Sequence, residues 1–187
     1  TSLLDTYDLE RSAAADENIG HSTRSTDFIA PRSAQELRFR NATLALARHA
    51  PFAKRMVNSG RLSMPSTYET PLSTPDCDSW SGSVSLGAPL PDAPMRNEDG
   101  QPIWLLEAVG GEETLIHVPN GGPAPAGPHV LVIGKDLVDE GGFFTKRFDA
   151  TPGSTYLVRP DQHLAARWRH ATATQIEQAS RRMRGFE

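Results

Sequence analysis

The sequence predicts a mixed α/β protein with two helices, a long Pro-rich linker, and a domain that has a mixed sheet and a C-terminal helix. Residues 155–158 and 164–168 are two β-type runs around a turn, which is typical of a hairpin. Residues 114–118 and 129–134 are apolar runs of strand length. Together with helix-capping patterns near both ends of the chain, these runs predict helices first and a sheet afterwards.

Two helices are expected within a helical segment at residues 1–60. Residues 3–24 carry a loose apolar stripe with acidic residues near the start. Ser33 and Glu36 have the spacing of a capping box, and Pro51 is expected either to kink the second helix or to end it at Ala50. Both helices are only moderately apolar, and helices gain most of their stability from packing, so we expect them to need a partner surface.

Residues 61–100 are interpreted as an irregular linker. The stretch is rich in Pro, Ser, Thr and Asp, and loops of this length are usually functional or connecting. Trp80, Leu86 and Leu90 are expected to anchor it. The sheet-containing domain is then assigned to residues 101–187.

The two apolar runs of that domain are expected to form buried strands. Ten residues, PNGGPAPAGP, separate them. Parallel neighbours are normally joined by a helical crossover, and this composition cannot form a helix. We therefore expect an extended link in place of a crossover helix, with short helical turns at 103–109 and 142–148.

The closing hairpin is expected to be amphipathic. Pro160 and Asp161 are turn residues between its two strands. Along the second strand, apolar and polar side chains alternate in the order LAARWR, which predicts one apolar and one polar face. The C-terminal helix is expected to begin with the capping box TQIE at 174–177 and to end before Gly185.

Composition excludes several classes of function. The net charge of −4 gives no basic footprint for nucleic acid. No apolar run approaches the roughly 20 residues of a membrane span, and no signal peptide is visible, so a cytoplasmic location without membrane contact is expected. The single cysteine, Cys77, excludes an internal disulfide and a C-x-x-C redox pair.

No catalytic, cofactor-binding or metal-binding residue is predicted. Gly121, Gly122 and Gly127 follow a strand, but prolines fill the gaps and no helix follows, so they do not form a dinucleotide fingerprint. His117 and His129 are placed to face each other on adjacent strands, yet no further ligands with metal-site spacing support them. The run of arginines at 181–184 is interpreted as a solvated face near a helix C-terminus.

Several separated blocks resemble one enzyme family. The stretch LVRPDQHLAARW at 157–168 is similar to the C-terminal signature of FAD-dependent aromatic-ring hydroxylases of the phenol 2-monooxygenase and 3-(3-hydroxyphenyl)propionate hydroxylase type. The start, LLDTYDLERSAAADENI, resembles the helix that follows the second flavin-binding motif of that family, and STRSTDFIAP and NSGRLSMPSTY resemble its linking segments. Tyr7, Glu10 and Arg11 match the family pattern and are interpreted as ordinary surface and packing residues.

The resemblance implies a role within a larger enzyme. Residues 1–60 would belong to the flavin and substrate body, and 101–187 would be a degenerate thioredoxin-like domain that lacks its first crossover helix and its Cys pair, with Ser154 near the position of the family's cis proline. The flavin motifs lie upstream of Thr1 in that family. The resemblance therefore implies FAD and NAD(P)H for the parent enzyme, which hydroxylates phenolic rings with O₂. It implies no cofactor for this stretch.

The expected role of the chain is thus non-catalytic, either structural or in dimerisation, with the N-terminal flavin domain of the parent polypeptide as partner and a possible homodimer. The alternative is a stand-alone thioredoxin-like binding module without redox activity. A thiol-redox protein is disfavoured by the single cysteine.

Overall fold

The computed structural model describes residues 2–57 and 65–186. Contacts divide the chain into two compact units: residues 11–66 form a helical unit, and residues 67–187 together with 1–10 form a sheet unit. The division predicted from the sequence, at residues 60 and 100, stays a prediction about domains.

Among the described residues, three helices precede the sheets. They are α1 (Ser2–Ile29), α2 (Ala34–Ala47) and α3 (Pro51–Val57). The capping box at Ser33 is confirmed, since the Glu36 amide donates to Ser33 Oγ and the Ser33 amide donates to the Glu36 carboxylate. Of the two outcomes expected at Pro51, an end of the helix at Ala50 is not observed, although the helix is interrupted next to this proline. Helix α2 ends earlier, and Pro51 begins α3, because the first position of a helix needs no amide donor.

The helical unit has almost no core of its own. Among its described residues only Thr43 and Ala53 are buried. Its large apolar side chains are mostly exposed, as in Ile29, Phe39 and Phe52. Helices of this kind are stabilised mainly by a packed apolar face, and here that face is open.

Two sheets form the other unit. A small antiparallel sheet has the order β2-β1-β5, with strands β1 (Pro94–Asn97), β2 (Pro102–Trp104) and β5 (Leu137–Val138). The main sheet has the order β4-β3-β6-β7 and consists of β3 (Thr114–His117), β4 (Val130–Val132), β6 (Thr155–Val158) and β7 (Leu164–Trp168). Short helices α4 (Leu105–Val109) and α5 (Phe143–Phe148) and the C-terminal helix α6 (Ala173–Met183) complete the unit. The segment 103–109 therefore begins with a strand and not only with helical turns.

The main sheet is mixed, as the sequence predicts. Strands β3 and β4 are parallel, with Ile116 opposite Leu131, and β6 runs antiparallel to both β3 and β7. No helix lies in the segment between β3 and β4, so the predicted extended crossover is confirmed. None of the described peptide bonds is cis.

Successive side chains of the central strands lie alternately in two apolar clusters. Ile116, Tyr156 and Val158 belong to one apolar cluster, whereas Leu115 and Leu157 belong to a second cluster that packs against α6. This alternation follows from the period of two along a strand. The two clusters cover both faces of the sheet.

The predicted polar face of the hairpin is therefore wrong. Every residue of β6 and β7 is buried, including Arg167. A strand covered on both faces cannot follow simple polar alternation, because any polar side chain must find partners inside. The partner of Arg167 comes from the irregular segment before β1.

The irregular segment is packed on the sheet unit. Residues 65–93 contain no helix or strand longer than a single bridge, which agrees with the expected irregularity. Strand β1 (Pro94–Asn97) nevertheless lies inside the stretch 61–100 that is expected to be irregular, and residues 61–64 lie outside the described residues. However, Tyr68, Leu72, Val84 and Leu90 are buried. The segment thus contributes to the core and does not merely connect two bodies.

The C-terminal helix begins two residues earlier than its sequence predicts. Thr172 is the N-cap, and its side chain and that of Gln175 form the capping box, so the box predicted at 174–177 is wrong. Both patterns have the required spacing, and packing of Ile176 into the second cluster selects the observed one. The predicted end is confirmed: Gly185 has φ +76 and follows the last turn.

Candidate functional site

A largely buried group of charges lies at the end of β6. We call it the acid–arginine cluster, and it consists of Glu10, Arg159, Asp161, His163 and Tyr68. Glu10 comes from the beginning of α1, and three of the others come from the turn between β6 and β7. The cluster therefore joins residues 149 positions apart in sequence.

Arg159 is the centre of the cluster. Its Nη1 and Nη2 atoms donate to the two carboxylate oxygens of Glu10 at 2.7 and 2.9 Å. Its Nε and Nη2 atoms donate to Asp161 at 3.0 and 2.9 Å. The side chains of Arg159 and Glu10 are only 11% and 3% exposed, so this is a buried, bidentate ion pair.

A histidine and a tyrosine cover the same cluster. The ring of His163 stacks on Tyr68 with centroids 4.7 Å apart, and its Nδ1 atom lies 3.3 Å from the Asp161 carboxylate. The guanidinium carbon of Arg159 lies 6.0 Å from the centroid of the Tyr68 ring. These planar groups exclude water from the arginine, which strengthens its ion pairs.

The turn between β6 and β7 places these side chains. The Arg159 amide donates to the His163 carbonyl at 2.9 Å, which closes the hairpin. Gln162 has φ +63, and its amide side chain donates to the carbonyls of Leu106 and Gly110. The turn is thus held against α4, and Arg159 and Asp161 are fixed on one side of it.

Electrostatics favour the ionised forms of Glu10, Asp161 and Arg159. Burial alone would raise the pKa of Glu10, but hydrogen bonds from Arg159 and Thr70 lower it below its ordinary value. Burial likewise acts to raise the pKa of Asp161, but the His163 hydrogen bond and the charge of Arg159 lower it to about 2. For Arg159, burial acts to lower the pKa, and its two carboxylate partners raise it above the ordinary value.

These directions decide what the cluster does chemically. A general acid or base works best with a pKa near the pH of the reaction, and both carboxylates are shifted away from neutrality. The donors of Arg159 that point to Glu10 and Asp161 are already occupied. The arrangement therefore fits a fixed structural ion pair and does not fit a proton-transfer site.

A second cluster fastens the irregular segment to β7. Arg167 donates to both oxygens of Asp76 at 2.9 and 2.6 Å and to the Val84 carbonyl at 2.6 Å. The guanidinium carbons of Arg167 and Arg169 lie 4.7 and 3.8 Å from the centroid of the Trp80 ring. Arg169 also pairs with Asp149 at the end of α5, and the Ser81 amide donates to the same carboxylate.

The glycines and histidines considered above do not form a dinucleotide motif or a metal site. The glycines at 121, 122 and 127 precede β4 and not a helix, so they provide no helix N-terminus for a pyrophosphate. His117 and His129 do not face each other. His117 Nδ1 contacts Thr155 Oγ1 at 2.9 Å, and His129 Nδ1 contacts Thr114 Oγ1 at 3.0 Å. In the part of the chain that the structure describes, no group of three His, Cys, Asp or Glu residues is placed to hold a metal ion.

Two further sequence expectations concern the single cysteine and membrane-spanning helices. Cys77 is exposed and unpaired by any disulfide, as expected. Across residues 2–57 and 65–186, no helix combines the length and the apolar character that crossing a membrane requires.

Sequence reasoning missed the importance of Glu10. It treated Tyr7, Glu10 and Arg11 as ordinary surface and packing residues, and Glu10 is instead buried with an arginine partner. The sequence did hold one signal for this contact. Glu10 lies in the first block that resembles the hydroxylase family, and Arg159 lies in the last. Tyr7 is 61% exposed, in agreement with a surface role.

The fold is similar to part of several solved monooxygenase and hydroxylase structures. The chain matches a crystal structure of the flavin-dependent monooxygenase PieE in complex with FAD and substrate, with a TM-score of 0.71 and 23% identity. It also matches aklavinone-11 hydroxylase in a ternary complex with FAD and aklavinone (TM-score 0.64, 20% identity) and the OxyS anhydrotetracycline hydroxylase from Streptomyces rimosus (TM-score 0.61, 22% identity).

These matches cover nearly all of this chain but only part of the other proteins. Each covers 97% of this chain, and the shares of the other chains are 40% for PieE and 35% for both hydroxylases. No protein-family model and no curated protein sequence matches the chain. The chain thus has a mixed α/β fold that corresponds to about two fifths of the PieE monooxygenase.

Proposed function

We propose that this chain is the C-terminal, non-catalytic part of an FAD-dependent aromatic-ring monooxygenase, in which it has a structural or dimerisation role. The observation that carries the proposal is the match of 97% of the chain to 40% of a flavin-dependent monooxygenase. In the complete enzyme, FAD and NAD(P)H would supply the redox chemistry of phenol hydroxylation with O₂. This stretch would then position and stabilise the flavin-bearing body.

The acid–arginine cluster supports this proposal independently of the fold match. Its two central residues, Glu10 and Arg159, lie in the two sequence blocks that most resemble the hydroxylases. Their buried ion pair explains why both blocks carry charged residues where a simple core would be apolar. The resemblance is thus linked to one physical contact.

The exposed apolar side chains of the helical unit favour a partner that covers them. Leu44, Leu46, Phe52 and Met56 of α2 and α3 are between 43% and 53% exposed, so each leaves apolar surface in water that a partner could cover. We infer that the flavin-bearing part of the same polypeptide covers them. Covering this apolar surface would supply the stabilisation that the two helices lack by themselves.

The sheet unit supports the thioredoxin-like interpretation of its fold. Its main sheet is mixed, it is closed by an antiparallel hairpin, and a C-terminal helix packs on one face. The segment at 119–128 stands where the expected crossover helix would be, and Cys77 lies far from it in sequence. A structural domain without dithiol chemistry follows from this interpretation.

A specific observation also favours the alternative function. The sheet unit has a continuous core on both faces of its main sheet, so it has the packing of an independently stable domain. A stand-alone thioredoxin-like binding module without redox activity would need this property. The helical unit, with its open apolar face, favours the first proposal.

One experiment separates the two functions. An antibody to this chain is used to precipitate the native protein from extract of the source cells, and its mass and released flavin are measured. A protein far heavier than 20.4 kDa that releases FAD is expected. A protein of 20.4 kDa without flavin would contradict the proposal and support the binding module.

A second experiment tests the non-catalytic role. The purified 187-residue chain is mixed with FAD, NADPH and phenol, and hydroxylated product is measured. We expect none, since the sequence carries no glycine-rich dinucleotide-binding motif. Product formation above a boiled control would contradict the assignment.

A further inference from the structure

A groove of about 740 Å³ lies in the sheet unit between the start of α1, residues 71–72 and the last turn of α6. Its apolar wall is made by Pro71, Leu72 and Phe186. Its polar side is made by Gln178, Arg181 and Arg182. The volume is within the range of small-molecule sites, roughly 300–1,000 Å³.

The basic side of the groove is available to an anion. Arg181 and Arg182 are exposed, and no carboxylate among the described residues forms an ion pair with either side chain. Arg184 differs from them, because it pairs with Glu113 at 2.7 Å. Glu177, one turn before Arg181, is not within ion-pair distance of it. Two guanidinium groups at one groove are a recognition element for a carboxylate, which they bind with paired hydrogen bonds.

The apolar side of the groove exposes surface that a ligand would cover. Leu72 is buried at its floor, whereas the Phe186 ring is 61% exposed at its rim. Covering an exposed aromatic ring removes apolar area from water and favours binding. A ligand for this groove therefore needs an apolar body as well as a negative charge.

Local contacts hold the part of the groove wall that Phe186 forms. Gly185 has φ +76, and a Cβ built on it would lie 3.3 Å from the Leu3 Cβ atom, so the C-terminal turn is packed against α1. The Phe186 amide donates to the Arg181 carbonyl at 2.9 Å, which holds the turn closed. Holding this wall in place reduces the entropy cost of binding.

We propose that this groove binds an amphipathic carboxylate, whose carboxylate lies between Arg181 and Arg182 and whose apolar body lies on Leu72 and Phe186. Aliphatic and aromatic carboxylates share this chemistry. The inference is separate from the proposed oxygenase role, because it rests on the charges and walls of one groove. Its failure would leave the oxygenase proposal unchanged.

The test is a titration of the full chain with decanoate and, separately, naphthoate, followed by backbone amide NMR. Saturable shifts are expected around Leu72 and Gly185. The double variant R181Q/R182Q should bind about tenfold more weakly or worse, since a hydrogen bond to a charged group is lost. The control K146Q removes a positive charge from an exposed position of α5 outside the groove and should change affinity less than twofold.

The outcomes are distinguishable. Saturation by decanoate alone assigns the groove to aliphatic carboxylates, and saturation by naphthoate alone assigns it to aromatic ones. Absence of saturable binding by both below about 1 mM would overturn the proposal. So would equal binding of neutral decanol, or equal weakening by R181Q/R182Q and K146Q. Because Arg181 and Arg182 are exposed, the melting temperature of the double variant should be unchanged, which shows that it is folded.

Discussion

The buried pair of Glu10 and Arg159 gives the sharpest prediction. Arg159→Met removes the guanidinium and leaves the Glu10 carboxylate, whose side chain is 3% exposed, without its bidentate partner. Breaking a buried pair in this way costs about 3–5 kcal/mol of unfolding free energy, because an uncompensated charge stays inside. An exposed pair is worth only about 0–1 kcal/mol.

The assay is urea unfolding at pH 7, followed by tryptophan fluorescence. Trp80, Trp104 and Trp168 all belong to the sheet unit, so the signal reports on the unit that contains the pair. The matched control is Arg96→Met in the same unit, since Arg96 pairs with Glu140 at 2.7 Å and both side chains are at least 43% exposed. We expect the control to cost less than about 1 kcal/mol.

A double-mutant cycle isolates the interaction. Glu10→Gln keeps the shape of the side chain and removes its charge, so the double variant Glu10→Gln with Arg159→Met should be more stable than Arg159→Met alone. If Arg159→Met does not fold, Glu10→Gln alone still tests the pair. A loss for Arg159→Met no larger than that of the Arg96→Met control would refute the reasoning.

The pH dependence has a defined sign. Glu10 and Asp161 have pKa values lowered from 4.5 and 3.8, the latter to about 2, so the folded state binds fewer protons than the unfolded state. The stabilisation is fully present above about pH 4.5 and is lost as the pH falls towards 2. The difference between wild type and Arg159→Met should therefore shrink in acid, and a constant difference would contradict the assignment.

Three further predictions concern other parts of the sheet unit. Gly87→Ala should destabilise by clearly more than Gly100→Ala, because both have positive φ but only the new Cβ at Gly87 would meet a backbone oxygen, at 2.0 Å; equal melting temperatures would contradict this. His117 is buried with its pKa lowered from 6.5 by burial, so urea midpoints of the wild type should fall as the pH drops below 6.5, and His117→Gln should flatten that slope. Arg167→Lys should cost about 1–3 kcal/mol, since lysine cannot make the bidentate contact to Asp76, and limited proteolysis should then cut the irregular segment faster than in wild type.

The order of secondary structure was largely predictable from the sequence. Local composition specifies the hairpin at 155–168, the parallel strands β3 and β4, and the helix-free link between them. The residues responsible are β-branched, apolar and turn residues. The capping box at Ser33 was predictable for the same reason. The second box was placed at 174 and not at 172, because two overlapping patterns satisfy the spacing and only the packing of Ile176 decides between them.

The candidate site could be predicted only in part. The block that contains Arg159 is visible in the sequence as a turn between two strands, and Glu10 is visible as part of an acidic helix. Their contact joins residues 149 positions apart, and no local rule relates them. Burial of Arg167 was missed for a similar reason, because its partner Asp76 lies in a segment with no periodic pattern.

The sequence by itself determined the class of the fold, the approximate places of the four strands of the main sheet and of the first, second and last helices, and the lack of a redox cysteine pair or a glycine-rich flavin motif. These features follow from short-range sterics, hydrogen bonding and composition. Only the tertiary structure decided that the Pro-rich segment packs as part of a core, that both faces of the hairpin are buried, and that Glu10 pairs with Arg159. The physical reason is that burial and ion pairing depend on which distant residues meet, and a charged residue has no fixed place in the fold until its partner is brought to it.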